Sequence, residues 1–248
     1  MVEAYVFRRA ICAVPTNSLN KTFANFAREI KKDRYLESVK AHFLNMRSYR
    51  RMPRDEEFIA RMQDRDLYNF RSRSYWLRKF ENHGRKERVS VDDYTIEHIM
   101  PQNDKLSKEW RASLGEDWST VQEKWLHTLG NLTLTGYNSE YSDKPFIEKR
   151  DMEGGFKYSP LRVNQGLGQI ADWNEDEIKK RADTMARRAA EVWAAPSLSA
   201  DILKTYQEPE KVVGEYTIED HPHIFSRNMR QLFDDFRREV KALDVSVT

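Results

Sequence analysis

One short stretch, Thr95-Ile96-Glu97-His98-Ile99-Met100-Pro101-Gln102, constrains this chain more than any other part of it. It is answered downstream by His127-Thr128-Leu129-Gly130-Asn131-Leu132-Thr133-Leu134 and then by Asn138. Tyr94 to Ile99 alternates and is β-branched, the pattern of a half-buried strand with His98 at its end. Asn131 to Thr135 predicts a second strand, Gly136-Tyr137-Asn138 a turn, and Lys144 to Arg150 a helix. Between the strands, Trp110, Leu114, Trp118, Val121 and Trp125 mark an irregular, partly helical insertion.

The flanking sequence is helical. Thr16-Asn17-Ser18 offers N-cap residues before Leu19, Phe23, Phe26 and Ile30, and Tyr35 to Met46 continues after a break. Pro53-Arg54-Asp55-Glu56-Glu57 opens a helix to about Met62, and Leu67 to Glu81 predicts another that Gly84 ends. Ser159-Pro160 opens a short helix to about Leu167. Asp172 is expected to cap a long one from Asn174 to Trp193, whose apolar face carries Ile178, Ala182, Met185, Ala189 and Val192. A last amphipathic helix is expected from Phe225 to Leu243. The expected class is α+β, predominantly α-helical: a helical bundle enclosing a small strand–strand–helix motif. We divide the chain into a helical, basic region (1–90), a region holding the motif and its C-terminal helices (91–195), a linker (196–215) and the start of a further helical domain (216–248).

Charge is uneven along this division. Residues 1–90 hold 21 Lys and Arg against 11 Asp and Glu, whereas the rest holds 21 against 29, so the net +2 hides a basic N-terminal part. That suits a phosphate-binding module, although helices commonly carry solvated Arg and Lys. Arg71, Arg73, Arg78 and Lys79 could grip phosphate, but helical spacing scatters them, so only some share a face. No apolar run approaches the roughly 18 residues of a membrane span, and no secretory pattern opens the chain. One cysteine, Cys12, excludes an internal disulfide framework and a cysteine zinc cage, so the expected setting is cytoplasmic.

The residues of the strand pair suit one chemistry. Hydrolysing a phosphodiester needs a water deprotonated in line with the scissile bond, and positive charge on the other oxygens. Neutral imidazole serves the first near pH 7. One hard cation, Mg²⁺ or Mn²⁺, serves the second, and such ions take oxygen ligands and keep several waters. Glu97 and the Asn138 carbonyl are suitable donors. On a strand, Glu97 and His98 point to opposite faces, so the turn into Met100-Pro101 must re-aim one of them.

These residues resemble the HNH (ββα-metal) endonucleases, and more closely the C-terminal nuclease domain of GmrSD-like type IV restriction proteins, marked by a His-x-x-Pro motif. Arg8-Arg9-Ala10-Ile11-Cys12 with Pro15-Thr16-Asn17-Ser18-Leu19, Tyr94–Gln102, Leu129–Asn138, Lys144–Arg150 and Ser159-Pro160-Leu161 carry it over roughly residues 5–195. The resemblance implies a metal-dependent DNA endonuclease of a restriction or phage-defence system, acting on DNA that includes modified phage DNA. It implies His98 as general base, Asn131 as the residue that pins the loop and orients the base, and Glu97 and Asn138 as ligands of one Mg²⁺ or Mn²⁺ ion. Lys144 or Lys149 would steady phosphate, and Asp143 would join the metal shell or cap the helix. It also implies an N-terminal nucleotide-using sensor domain, which no Gly-rich loop here represents.

Blander readings stand beside these. His127 could ligate metal or simply hydrogen-bond, and Asn138 alone could be a turn residue. The tryptophans could stack on bases, yet such spacing more often means core. His221 and His223 are a metal pair without a further partner. RNA is disfavoured only by the resemblance. The alternative function is a non-catalytic DNA-binding or assembly module with a nuclease-like fold that needs its missing domains.

Overall fold

A computed structural model describes residues 1–207 and 227–243. The chain divides into two units, Met1–Tyr206 and Gln207–Thr248. In the first unit the elements are α1 Val2–Ile11, α2 Leu19–Glu29, α3 Tyr35–Asn45, α4 Asp55–Asp64, α5 Arg73–Asn82, β1 Thr95–His98, α6 Lys108–Leu114, α7 Trp118–Trp125, β2 Leu132–Thr135, α8 Asn138–Tyr141, α9 Phe146–Asp151, α10 Glu175–Val192 and α11 Ala200–Lys204. The class is α+β, with helices around one antiparallel pair. Thr95 lies opposite Thr135, Ile96 opposite Leu134, Glu97 opposite Thr133 and His98 opposite Leu132.

Helix α10 is the spine. Its apolar stripe, Ile178, Ala182, Met185, Ala189 and Val192, is buried as the 3.6-residue period requires. It packs along α4, and one apolar core joins Phe7, Phe58 and Leu77 to Leu129, Leu132 and Ala186. Residues 1–90 and the strand pair therefore share a core. A second cluster, built on Ile99, Met100, Trp110, Trp125, Phe146 and Trp173, holds the insertion and α9 together. Trp110 and Trp125 are buried in it, their indole N–H groups donating to Lys144 O and Glu175 Oε1, so neither is available for stacking on a base. Gly130 marks the closest approach of α10 to the loop before β2: a Cβ there would run into Ile178 O.

Several elements differ from expectation for identifiable reasons. The cap of α10 is Asn174, whose Oδ1 accepts from Glu177 N, while Asp172 binds Ser113 Oγ and Trp173 N. The helix expected from Leu67 begins only at Arg73, because Leu67 N and Tyr68 N both donate to His127 O and Asp66 closes a turn on Asn69. The helix expected from Ser159 is two short 3₁₀ turns, Arg162–Asn164 and Leu167–Gln169, broken at Gly166 with φ 94°. Helix α1 was not anticipated, since Arg8 and Arg9 interrupt its apolar pattern. Both are buried: Arg8 donates to Trp193 O, Pro53 O and Ala190 O and pairs with Asp55, fastening α1 to α4 and α10. The first part of the expected linker carries α11 and is held to α3, with Asn45 Nδ2 donating to Tyr206 O and Tyr206 Oη to Glu37.

In the second unit the described element is α12, Arg227–Leu243, with Met229, Leu232 and Phe236 exposed. The start of the expected terminal helix at Phe225, the segment Tyr216–His221 and the His221/His223 pair lie outside the described residues. Among the described residues no helix is long and apolar enough to cross a membrane.

Candidate active site

β1 ends in Glu97 and His98, whose side chains meet different partners. His98 is buried against Tyr68, whose ring centroid lies 4.5 Å away, and against His127, with His98 Nε2 and His127 Nδ1 3.0 Å apart. Tyr68 also stacks on His127 at 5.2 Å with the planes 12° apart. The three rings form a closed aromatic corner at the end of the strand. Burial, reinforced by the charges of His127 and Lys149, pushes the His98 imidazole down to about 3, so it is neutral at physiological pH.

Glu97 meets Lys149 of α9. Lys149 Nζ donates to Glu97 Oε1 at 2.6 Å and to the carbonyls of His98 and Ile99, both at 3.2 Å. Burial pushes the Glu97 carboxyl up and the Lys149 ammonium down, each offset by the other's charge. Three acceptors around one ammonium favour the ionised pair. Lys149 is fully buried, which corrects its expected part in holding phosphate: its charge faces Glu97 and the end of β1. Lys144 is half-exposed and its backbone carbonyl receives the Trp110 indole. Asp143 is exposed and accepts from Asn103 Nδ2 at 2.8 Å; its charge raises Glu97 further.

The two asparagines occupy different surroundings. Asn131 has no exposure. Its Oδ1 accepts from Met100 N and Trp173 Nε1, and its Nδ2 donates to Met100 O and Leu126 O. The two bonds to Met100 lock the turn that follows His98, and the other two tie Asn131 to Leu126 and Trp173. Asn138 is half-exposed, and its Nδ2 donates to Thr95 Oγ1 and Ile96 O. This fixes the amide orientation and leaves Oδ1 with no hydrogen bond among the described residues. Thr95 shares a strand face with Glu97, so Asn138 leans on the Glu97 side of the hairpin.

Supports absent from the sequence reading surround these groups. Arg181 of α10 donates to Leu129 O, Gly130 O and Leu132 O, bracketing Asn131 from behind, and to Val163 O. Burial pushes it down to about 9, and it remains a guanidinium at neutral pH. Trp173 and Arg181 carry no sequence signal beyond helix and core patterns; Tyr68 was hidden in a stretch expected to be helix. Of the basic residues on α5, Arg73 lies over the Tyr68 ring at 5.1 Å, Arg78 lines a small cleft with Ile96 and Leu134 and pairs with Asp92, and Lys79 pairs with Glu3. Arg73 thus adjoins the His98 corner through Tyr68.

Among the described residues no group of three or more His, Cys, Asp or Glu side chains converges as a metal cage. The oxygen donors present, one carboxylate and one amide carbonyl, suit a hard cation that keeps much of its water. A family model described as GmrSD restriction endonucleases, C-terminal domain, matches residues 52–188. No curated protein and no solved structure matches the chain.

Proposed function

Because the chain belongs to the family of the C-terminal domain of GmrSD restriction endonucleases, a restriction-type nuclease domain, we propose that it is a metal-dependent DNA endonuclease of a defence system, with His98 as its general base. The observation that carries this reading is the His98–His127 bond. A proton on His98 Nε2, donated to His127 Nδ1, leaves the His98 Nδ1 lone pair to take a proton from water. Burial keeps that nitrogen unprotonated at neutral pH, while lowering its basicity below that of an ordinary imidazole. Asn131 positions the base by locking the turn immediately after it.

Glu97 and Asn138 Oδ1 would hold one Mg²⁺ or Mn²⁺ ion, and their donor chemistry fits it. When bound, such an ion stabilises negative charge on the phosphate oxygens. Lys149 keeps Glu97 ionised and fixed through Oε1, leaving Oε2 as the donor. Lys144, Arg73 and Arg78 would meet the DNA backbone, where phosphate contacts set position rather than sequence. Asp143 is assigned to the loop through Asn103 rather than to the ion.

Plasmid nicking tests the proposal. Supercoiled DNA should be nicked with Mg²⁺ or Mn²⁺ and not with EDTA, and His98→Ala should lower the rate about 10²–10⁴-fold at a temperature where the variant is still folded. Nicking that survives His98→Ala unchanged would remove His98 from the mechanism.

A further inference from the structure

A cavity of about 600 Å³ opens between the C-terminal part of α5, the 162–171 loop and the flank of α10. That volume lies within the roughly 300–1,000 Å³ of small-molecule sites. Its apolar side is the half-exposed Ile170, backed by the buried Phe80, Leu167 and Met185. Its charged wall is Arg162, Lys180 and Arg188, with the buried Arg181 behind.

The charges around it are unbalanced. Glu177 is the carboxylate in the lining, and Lys180 Nζ sits 3.5 Å from it. Glu81, beneath the cavity, is fully buried and is occupied by Arg85 and by the backbone N–H groups of Arg162 and Val163. Arg162 Nη1 donates to His83 O and Arg188 Nη2 to Phe80 O. Their remaining guanidinium nitrogens hold no hydrogen bond among the described residues. Arg188 is pushed down by burial and by the charges of Arg162 and Arg85, partly offset by Glu81 and Glu191, and an anion between Arg162 and Arg188 would relieve the repulsion of that pair. Guanidinium forks match phosphate oxygens two at a time, and the facing apolar wall suits a planar or apolar group.

We infer that this cavity binds a small phosphate-bearing molecule of nucleotide chemistry, its phosphates on Arg162, Arg188 and Lys180 and its apolar portion on Ile170. The site is separate from the His98 corner and does not depend on the nuclease reading. It adjoins that corner only through Arg181, which lines the cavity and grips the carbonyls on either side of Asn131.

Calorimetric titration of the full chain in EDTA tests this with ATP, pyrophosphate, adenosine and a short DNA duplex. ATP should bind, pyrophosphate more weakly, and adenosine not measurably. Arg188→Gln and Arg162→Gln should each weaken ATP roughly tenfold. Lys180→Glu, at an ammonium whose side chain is 75% exposed, should weaken ATP without altering Tm, and so reads the site even if an arginine variant is destabilised. ATP affinity unchanged in all three variants, adenosine binding as tightly as ATP, or binding by the duplex alone would each overturn the inference.

Discussion

Asn131 and Asn138 stand at opposite ends of the same four-residue strand and do opposite things with the same side chain. Asn131 is sealed from solvent with four hydrogen bonds, and nothing on it remains to offer a ligand. Asn138 sits at the rim, anchored through its nitrogen, with its oxygen spare. The same division separates Lys149, saturated behind the sheet, from Lys144 at the surface. A saturated polar group holds geometry, because removing it strands buried partners; an unsaturated one at the rim is where chemistry can be added.

The contrast can be broken most forcefully at Lys149. Lys149→Met leaves Glu97 as a buried, unpaired carboxylate and should cost about 3–5 kcal/mol, measured by urea unfolding. Asn131→Ala strands Met100 N, Met100 O, Leu126 O and Trp173 Nε1, and should cost about 1–3 kcal/mol, with activity lost alongside Tm. Asn138→Ala should do the reverse: Tm nearly unchanged, with nicking at fixed Mg²⁺ reduced about 10–100-fold and partly restored by excess ion. A fall in Tm for Asn138→Ala as large as that for Asn131→Ala would erase the distinction. The smallest effect concerns acid. The folded His98 pKa lies below its ordinary value, so the unfolded chain binds the extra proton first. Its contribution to stability is complete above about pH 6.5 and is lost as pH falls towards about 3, so His98→Gln should flatten the Tm–pH curve within that window.

Much of this was legible in the residues before any coordinates. The strands show because Thr95–His98 and Leu132–Thr135 are β-branched and apolar, and α10 shows because eighteen residues give the helical period room to declare itself. Asn131 and Asn138 are legible as a spaced pair, but their difference in burial is not. Lys149 lies in Glu148-Lys149-Arg150, which reads as a solvated charge run; α9 has six residues, too few for periodicity to mark an inner face. Arg8 and Arg9 mislead in the same way, since buried arginines that bind carbonyls look like surface charges in a sequence. Strand alternation separates Glu97 from His98 in the sequence, but their partners, Lys149 and His127, become visible only in the structure.

The contact between Glu97 and Lys149 joins residues 52 positions apart, and Arg181 reaches back just as far to Leu129. On a ribosome emitting the chain from its N-terminus, the acid of the site emerges long before its counter-charge, and the brace behind Asn131 comes later still. A nascent or prematurely terminated chain ending near residue 140 holds the histidine and both asparagines but lacks Lys149, Trp173 and Arg181, which brace their surroundings. The braces of the candidate site are thus the last of its parts to be made.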